Sequence, residues 1–159
     1  MKIKIICVGK LKEKYWSDGI SEYAKRLSRF CKFEICALAD EKIPENASGK
    51  ECLSLLEQEG ERIIKNIGKS DYIIALCIEG KNISSTDFAK KISDISLSGK
   101  SDITFIIGGS LGICEKVKNM ADFHLSFGKM TFPHQLMRLV LAEQIYRAFK
   151  INANEEYHK

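Results

Sequence analysis

The chain has 159 residues, 45% of them hydrophobic and 29% charged, with a net charge of +4. That is about one domain's length with enough aliphatic material for a core, which excludes a disordered chain. No apolar run approaches the ~20 residues that cross a bilayer, and Ile5, Ile6, Cys7 and Val8 are too few for a signal-peptide core, so a cytoplasmic protein with no membrane partner is expected.

Lys2–Val8 reads as a first strand. Apolar Ile20, Tyr23, Ala24 and Leu27 recur at helical spacing and predict a helix over Tyr15–Leu27. Phe33–Leu38 is strand-like, and a polar loop with Pro44 and Gly49 follows. Leu53, Leu56, Ile63, Ile64 and Ile67 mark a helix from about Lys50 to Ile67. Asp71–Ile78 is a near-continuous apolar run, as expected of a strand covered on both faces. Ser85 or Thr86 is placed to cap a helix that runs to about Ser96, before Gly99. Asp102–Ile107 is another apolar strand and ends at Gly108-Gly109-Ser110-Leu111-Gly112. A short helix over Glu115–Met120 and a short strand over Phe123–Ser126 come next. Pro133 sits near the first turn of a long helix, His134–Lys150, and Asn152 to Lys159 form a tail. No linker or internal repeat interrupts the order, so residues 1–159 are expected to form one domain. The alternation predicts an α/β fold, a parallel sheet with helices on both faces. Ligands in such sheets bind beyond the carboxyl ends of the strands, which points to the loops after Ile78, Ile107 and Ser126.

Six cysteines are present, none in a C-x-x-C pair and none beside a histidine cluster. They read as small buried hydrophobes, and no metal site is expected. The charge is uneven: residues 1–32 hold nine Lys and Arg against three acids, a local +6, and the rest of the chain is at −2. Lys2, Lys4, Lys10, Lys12, Lys14, Lys25, Arg26, Arg29 and Lys32 supply it. Such a stretch suits a phosphate backbone, or is a solvated helix face with no partner.

Four segments carry groups that chemistry needs. The glycine loop after Ile107 has the spacing G-G-x-x-G, which is neither a dinucleotide fingerprint nor a Walker A loop; it is a ligand cradle or a tight strand-to-helix turn. Phe127-Gly-Lys-Met-Thr-Phe-Pro-His-Gln packs a glycine, a cation, a hydroxyl, two aromatics and an imidazole into nine residues, the composition of a binding loop. It also reads as a plain connection with Thr131 as helix cap. In the last helix Leu136, Met137, Leu139, Val140, Leu141, Ala142, Ile145, Ala148 and Phe149 run almost all the way round, leaving Glu143, Gln144 and Arg147 as a narrow polar stripe. Such a helix needs more than one burying surface, and a second subunit is the plausible source. Arg138, roughly opposite the stripe, is either ion-paired at an interface or aimed at a substrate phosphate. The end of the chain, Tyr157-His158-Lys159, offers an aromatic, an imidazole and a cation to an RNA base, or is a disordered tail.

Taken together, Phe105-Ile-Ile-Gly-Gly-Ser-Leu-Gly112, Leu125-Ser-Phe-Gly-Lys-Met-Thr-Phe-Pro-His-Gln-Leu-Met-Arg138, Glu143-Gln-Ile-Tyr-Arg-Ala-Phe-Lys150 and Tyr157-His-Lys159 closely resemble the ribosomal RNA large subunit methyltransferase H family. Ser110 and Gly128 look like tolerated variants of loop positions. The resemblance spans essentially the whole chain. It implies a SPOUT-class α/β fold whose C-terminal part forms a trefoil knot, an exception to un-knotted chains. It implies S-adenosyl-L-methionine as cofactor, held by Leu76, Gly108, Phe127, Gly128, Lys129, Met130, Thr131 and Phe132. It implies methylation of N3 of a pseudouridine in the helix 69 loop of large-subunit (23S) rRNA on the assembled ribosome, by a homodimer. His158, Tyr157 and Arg138 are then the catalytic candidates: His158 as proton acceptor or base-orienting group, Tyr157 as stacking or hydrogen-bonding partner, Arg138 on a phosphate. The tail is expected to act in trans. A non-catalytic ribosome-binding factor and a related methyltransferase with another RNA target are the alternatives. A dinucleotide oxidoreductase is disfavoured, because Val8-Gly9-Lys10-Leu11 lacks its fingerprint.

Overall fold

Successive residues of a strand face opposite sides of its sheet, and in the first strand both sides are apolar. Ile3, Ile5 and Cys7 of β1 (Lys2–Val8) point to one face and Ile6 and Val8 to the other, all buried. The remaining strands are β2 (Lys32–Leu38), β3 (Tyr72–Asn82), β4 (Asp102–Ile107) and β5 (Phe123–Ser126). They form one wholly parallel sheet in the order β2-β1-β4-β3-β5. These elements come from a computed structural model, which describes residues 1–100 and 102–157.

Helices cover both faces, as the alternation predicts. On one side α1 (Lys14–Leu27), α3 (Ser85–Leu97) and α5 (His134–Asn152) place Leu27, Phe88, Ile92, Leu141, Ile145 and Ala148 against Ile3, Ile5 and Phe105. On the other, Ile63 of α2 (Gly49–Lys65) and Val117 of α4 (Glu115–Met120) pack on Ile6, Val8, Ile73 and Ile106. No helix among the described residues is long and apolar enough to cross a membrane. No group of three or more His, Cys, Asp or Glu side chains that could hold a metal occurs among them either.

Three local expectations are corrected. Ser84, not Ser85 or Thr86, caps α3: its extended backbone lets Oγ accept from the Asp87 N–H at 3.1 Å. Thr131 does not cap α5: the helix begins at His134 directly after Pro133, as expected, and no side chain caps it. The strand expected to end at Ile78 continues to Asn82 through a bulge. Leu76 and Lys81 both stand opposite Leu125, so Cys77, Ile78, Glu79 and Gly80 loop out between them. Gly80 is required there, since a Cβ would come within 2.8 Å of the His124 and Leu125 backbone.

Part of the apolar circumference of α5 is used within the chain. Leu139 packs into the space that Gly19 leaves on α1, its methyls 3.1 Å from where a Cβ would stand. Leu136, Met137, Val140 and Phe149 remain half-buried.

Candidate cofactor pocket

The carboxyl ends of β3, β4 and β5 meet at one edge of the sheet, and a cavity of about 700 Å³ opens there. It is lined by Leu76 and the bulge residues Cys77 to Glu79, by the glycine loop from Gly108 to Gly112, and by Phe127, Gly128 and Met130 to His134. Of the cofactor residues implied by the resemblance, Leu76, Gly108, Phe127, Gly128, Met130, Thr131 and Phe132 therefore share one cavity, although three separate segments supply them. Lys129 lies in the same loop and is exposed. Met130 is 74% exposed and Phe132 36%, so apolar side chains rim the mouth.

The two loops are built on backbone. A Cβ on Gly108 would overlap the Gly112 carbonyl and stand 2.9 Å from the Ile113 side chain, so the loop closes on itself only with glycine. Gly128 has φ of +117°, a conformation that side chains disfavour. Its N–H donates to Ser126 Oγ at 3.1 Å, and that hydroxyl donates to the Ile78 carbonyl at 3.0 Å, tying the loop to the bulge.

Charged groups stand at the wall. Glu79, thrown outward by the bulge, pairs with Lys118 of α4 at 2.5 Å. The Lys118 ammonium holds the Glu79 carboxyl below its ordinary range. Behind the glycine loop Glu59 of α2 is 5% exposed; Oε1 accepts from the Glu41 N–H at 3.0 Å, while Oε2 has no partner among the described residues. Burial pushes this carboxyl up, the charge of Asp40 adds to the shift, and His134 opposes it. A raised carboxyl favours the folded state where it is protonated, and that contribution is lost as pH rises through its folded pKa. Urea unfolding from about pH 4 to about pH 8 should therefore show wild type losing stability relative to Glu59→Gln as pH rises. A pH-independent difference would remove Glu59 as the cause. Glu59, Glu79 and Lys118 went unnoticed in the sequence because their setting depends on the bulge and on loops far apart in the chain.

Arg138 is placed differently from either expectation. It is fully buried, and its Nη2 donates to the carbonyls of Val8 at 2.7 Å and Gly9 at 2.8 Å. It makes no ion pair among the described residues, and within the chain it is closed off from solvent against the carboxyl end of β1. Its Nε and Nη1 have no hydrogen-bond partner among the described residues.

Tyr157 docks on α5. Its hydroxyl meets Glu143 Oε1 at 3.2 Å, its ring lies edge-on to Tyr146 at 5.0 Å, and the Arg147 guanidinium sits 4.7 Å over it. Burial pushes its phenol pKa up, with help from Tyr23 and Glu143. Arg147 also pairs with Glu143 at 2.6 Å, so the polar stripe of α5 receives the tail. Tyr157 does not line the pocket. His158 lies outside the described residues.

The sequence model of the predicted SPOUT methyltransferase family matches residues 1–158. The chain belongs to the SPOUT methyltransferase family. Over all 159 residues, and the whole of each relative, it is 62% identical to a ribosomal RNA large subunit methyltransferase H of Streptococcus uberis. It is 58% identical, over the same full lengths, to a putative ribosomal RNA large subunit methyltransferase H of Methanococcus maripaludis. Among solved structures, a probable methylase family protein of Haemophilus influenzae aligns with a TM-score of 0.53 at 15% identity, over 99% of this chain and 70% of that one. A tRNA (m1G37) methyltransferase of Aquifex aeolicus aligns with a TM-score of 0.52 at 16% identity, over 92% and 70%. At those identities the two structures support the fold alone.

SPOUT methyltransferases use S-adenosylmethionine, and the cavity suits such a ligand. Its volume falls within the ordinary range for small-molecule sites. Leu76, Leu125, Phe127 and Phe132 offer apolar surface to a flat ring, the glycine-loop backbone offers donors and acceptors, and Glu79 offers a carboxylate to a cationic ligand.

Proposed function

We propose that the protein methylates N3 of a pseudouridine in the helix 69 loop of large-subunit rRNA, with S-adenosylmethionine as donor, on the assembled ribosome in the cytoplasm. The observation that carries the reading is the convergence of Leu76, the Gly108 loop and the Phe127–Phe132 loop on one cavity. The full-length similarity to proteins named ribosomal RNA large subunit methyltransferase H supplies the rRNA substrate.

Bound S-adenosylmethionine supplies an activated methyl group, so the chain's own tasks are alignment and removal of the N3 proton. The backbone of the Gly108 and Phe127–Phe132 loops holds the donor. His158 accepts or directs the proton, and Tyr157 supports the base by stacking or hydrogen bonding. Because Tyr157 lies on α5 and outside the cavity of its own chain, the tail serves the pocket of a second subunit. The half-buried apolar side chains of α5 contribute to that homodimer interface. The trefoil knot belongs to the same proposal. Arg138 is reassigned from phosphate contact to positioning, since it joins α5 to β1.

Methyl transfer to intact ribosomes compared with deproteinised large-subunit rRNA tests the reading. If the folded ribosome supplies the shape that is read, ribosomes should be accepted and free rRNA scarcely. Equal transfer to both would remove the ribosome from the proposal. His158→Ala should leave donor affinity near wild type and cut turnover by about 100-fold or more, the size of a lost acid–base group. Loss of donor binding instead would move His158 into the cofactor site.

A further inference from the structure

A parallel sheet has two unlike edges, and they sort the basic residues of the N-terminal stretch. Lys2, Lys4 and Lys32 lie at the amino ends of β1 and β2, away from the cavity; Lys2 and Lys32 are register partners. Two of these are engaged: Lys2 pairs with Glu34 at 3.0 Å, and Lys4 Nζ donates to the Asn66 carbonyl at 2.9 Å. Arg26 and Arg29 are also occupied, by Glu22 and by Glu155, each at 2.8 Å. Lys10 and Lys12 follow the carboxyl end of β1, at the edge where the cavity opens. Both are exposed, and neither ammonium has an ion-pair partner among the described residues.

A direct link carries Lys12 to the site. Its backbone N–H donates to Gln135 Oε1 at 3.0 Å, and the neighbouring His134 lines the cavity. Exposed Lys42 and Lys129 stand on loops at the same edge. Exposed acids stand there too, Asp40, Glu13, Glu45 and Glu79, of which Glu79 is paired with Lys118, while the half-buried Glu41 is taken by Arg62. Long-stemmed, unpaired ammonium groups suit phosphates as movable point charges rather than a fixed carboxylate geometry.

Resting on the rRNA reading above, we infer that Lys10 and Lys12 form the RNA-backbone docking face, which lays the substrate strand across the mouth of the cavity. The basic residues of the opposite edge take no part. Backbone contacts of this kind set register and leave base identity to the cavity and tail.

The test measures ribosome affinity against monovalent salt, at fixed magnesium, for wild type, K10Q/K12Q and K32Q/K69Q. The second pair removes the same charge at the amino-end edge, where Lys32 and Lys69 are exposed. Each lost phosphate contact flattens the log–log salt slope by about 0.7 to 0.9. K10Q/K12Q should therefore flatten it by about 1.4 to 1.8. K32Q/K69Q should keep the wild-type slope, and both variants should titrate S-adenosylmethionine as wild type does. An unchanged slope in K10Q/K12Q, an equal loss in K32Q/K69Q, or a fall of K10Q/K12Q to monomer mass overturns the docking face. Wild type failing to bind ribosomes at all would overturn the rRNA reading with it.

Discussion

Replacing Arg138 by alanine should destabilise the fold by about 3 to 5 kcal/mol, from two lost charge-assisted hydrogen bonds and a cavity, less the relief of burying a cation. For a chain of this length that lowers the melting temperature by about 10 °C. The Nη2 group is the shared donor for the Val8 and Gly9 carbonyls, at the point where β1 ends. Without it both oxygens face a buried void. Arg138→Met restores much of the volume without the donor, so it should lie between alanine and wild type. Arg138 Nε and Nη1 are buried without partners among the described residues, which makes the native cation costly to hold. A side chain kept at that cost has positional work: it joins the first turns of α5, and through them the Phe127–Phe132 loop, to the sheet edge. Thermal unfolding of the three proteins gives the order. Alanine matching wild type in melting temperature, with only rRNA affinity reduced, would return Arg138 to a phosphate role.

Gly108→Ala should lower S-adenosylmethionine affinity by about 100-fold, which is about 2.7 kcal/mol. The added methyl would occupy the place of the Gly112 carbonyl, and that carbonyl belongs to the same loop. The loop must open, and the cavity wall opens with it. Gly112→Ala makes the comparison, because a Cβ there meets nothing within 4 Å and the cost is the backbone strain of its φ of +86°. That strain is about 1 to 2 kcal/mol of stability, with a smaller effect on the ligand. Calorimetric titration of S-adenosylmethionine into both variants separates overlap from strain. Equal affinity losses would mean that the crowding at Gly108 does not govern the pocket.

The parts of this fold that were legible are those decided by local pattern. β1 is apolar without a break from Ile5 to Val8, β4 is apolar apart from Asp102 and Thr104, and each is buried on both faces. The loop after Ile107 lies at the carboxyl edge because every strand runs the same way. The bulge in β3 was not legible: Tyr72 to Ile78 stays apolar throughout, and the break comes from pairing with β5, about fifty residues on. Arg138 escaped for a similar reason. Helical periodicity sets it away from Glu143 and Arg147, but its partners are carbonyls about 130 residues earlier in the chain. The basic stretch was visible as charge, yet only the sheet's direction shows that Lys10 and Lys2 stand at opposite edges. Tyr157 was weighed as part of a loose tail; a hydroxyl contact and two aromatic contacts on α5 order it.

The identity of the methylated nucleoside decides whether this is a pseudouridine-N3 methyltransferase of the ribosome. Ribosomes lacking the modification are incubated with the protein and methyl-labelled S-adenosylmethionine, and the rRNA is digested to nucleosides. Label is expected in N3-methylpseudouridine from the helix 69 loop of the large subunit. Label in another nucleoside, or none in rRNA while the ribosome is bound, would contradict it.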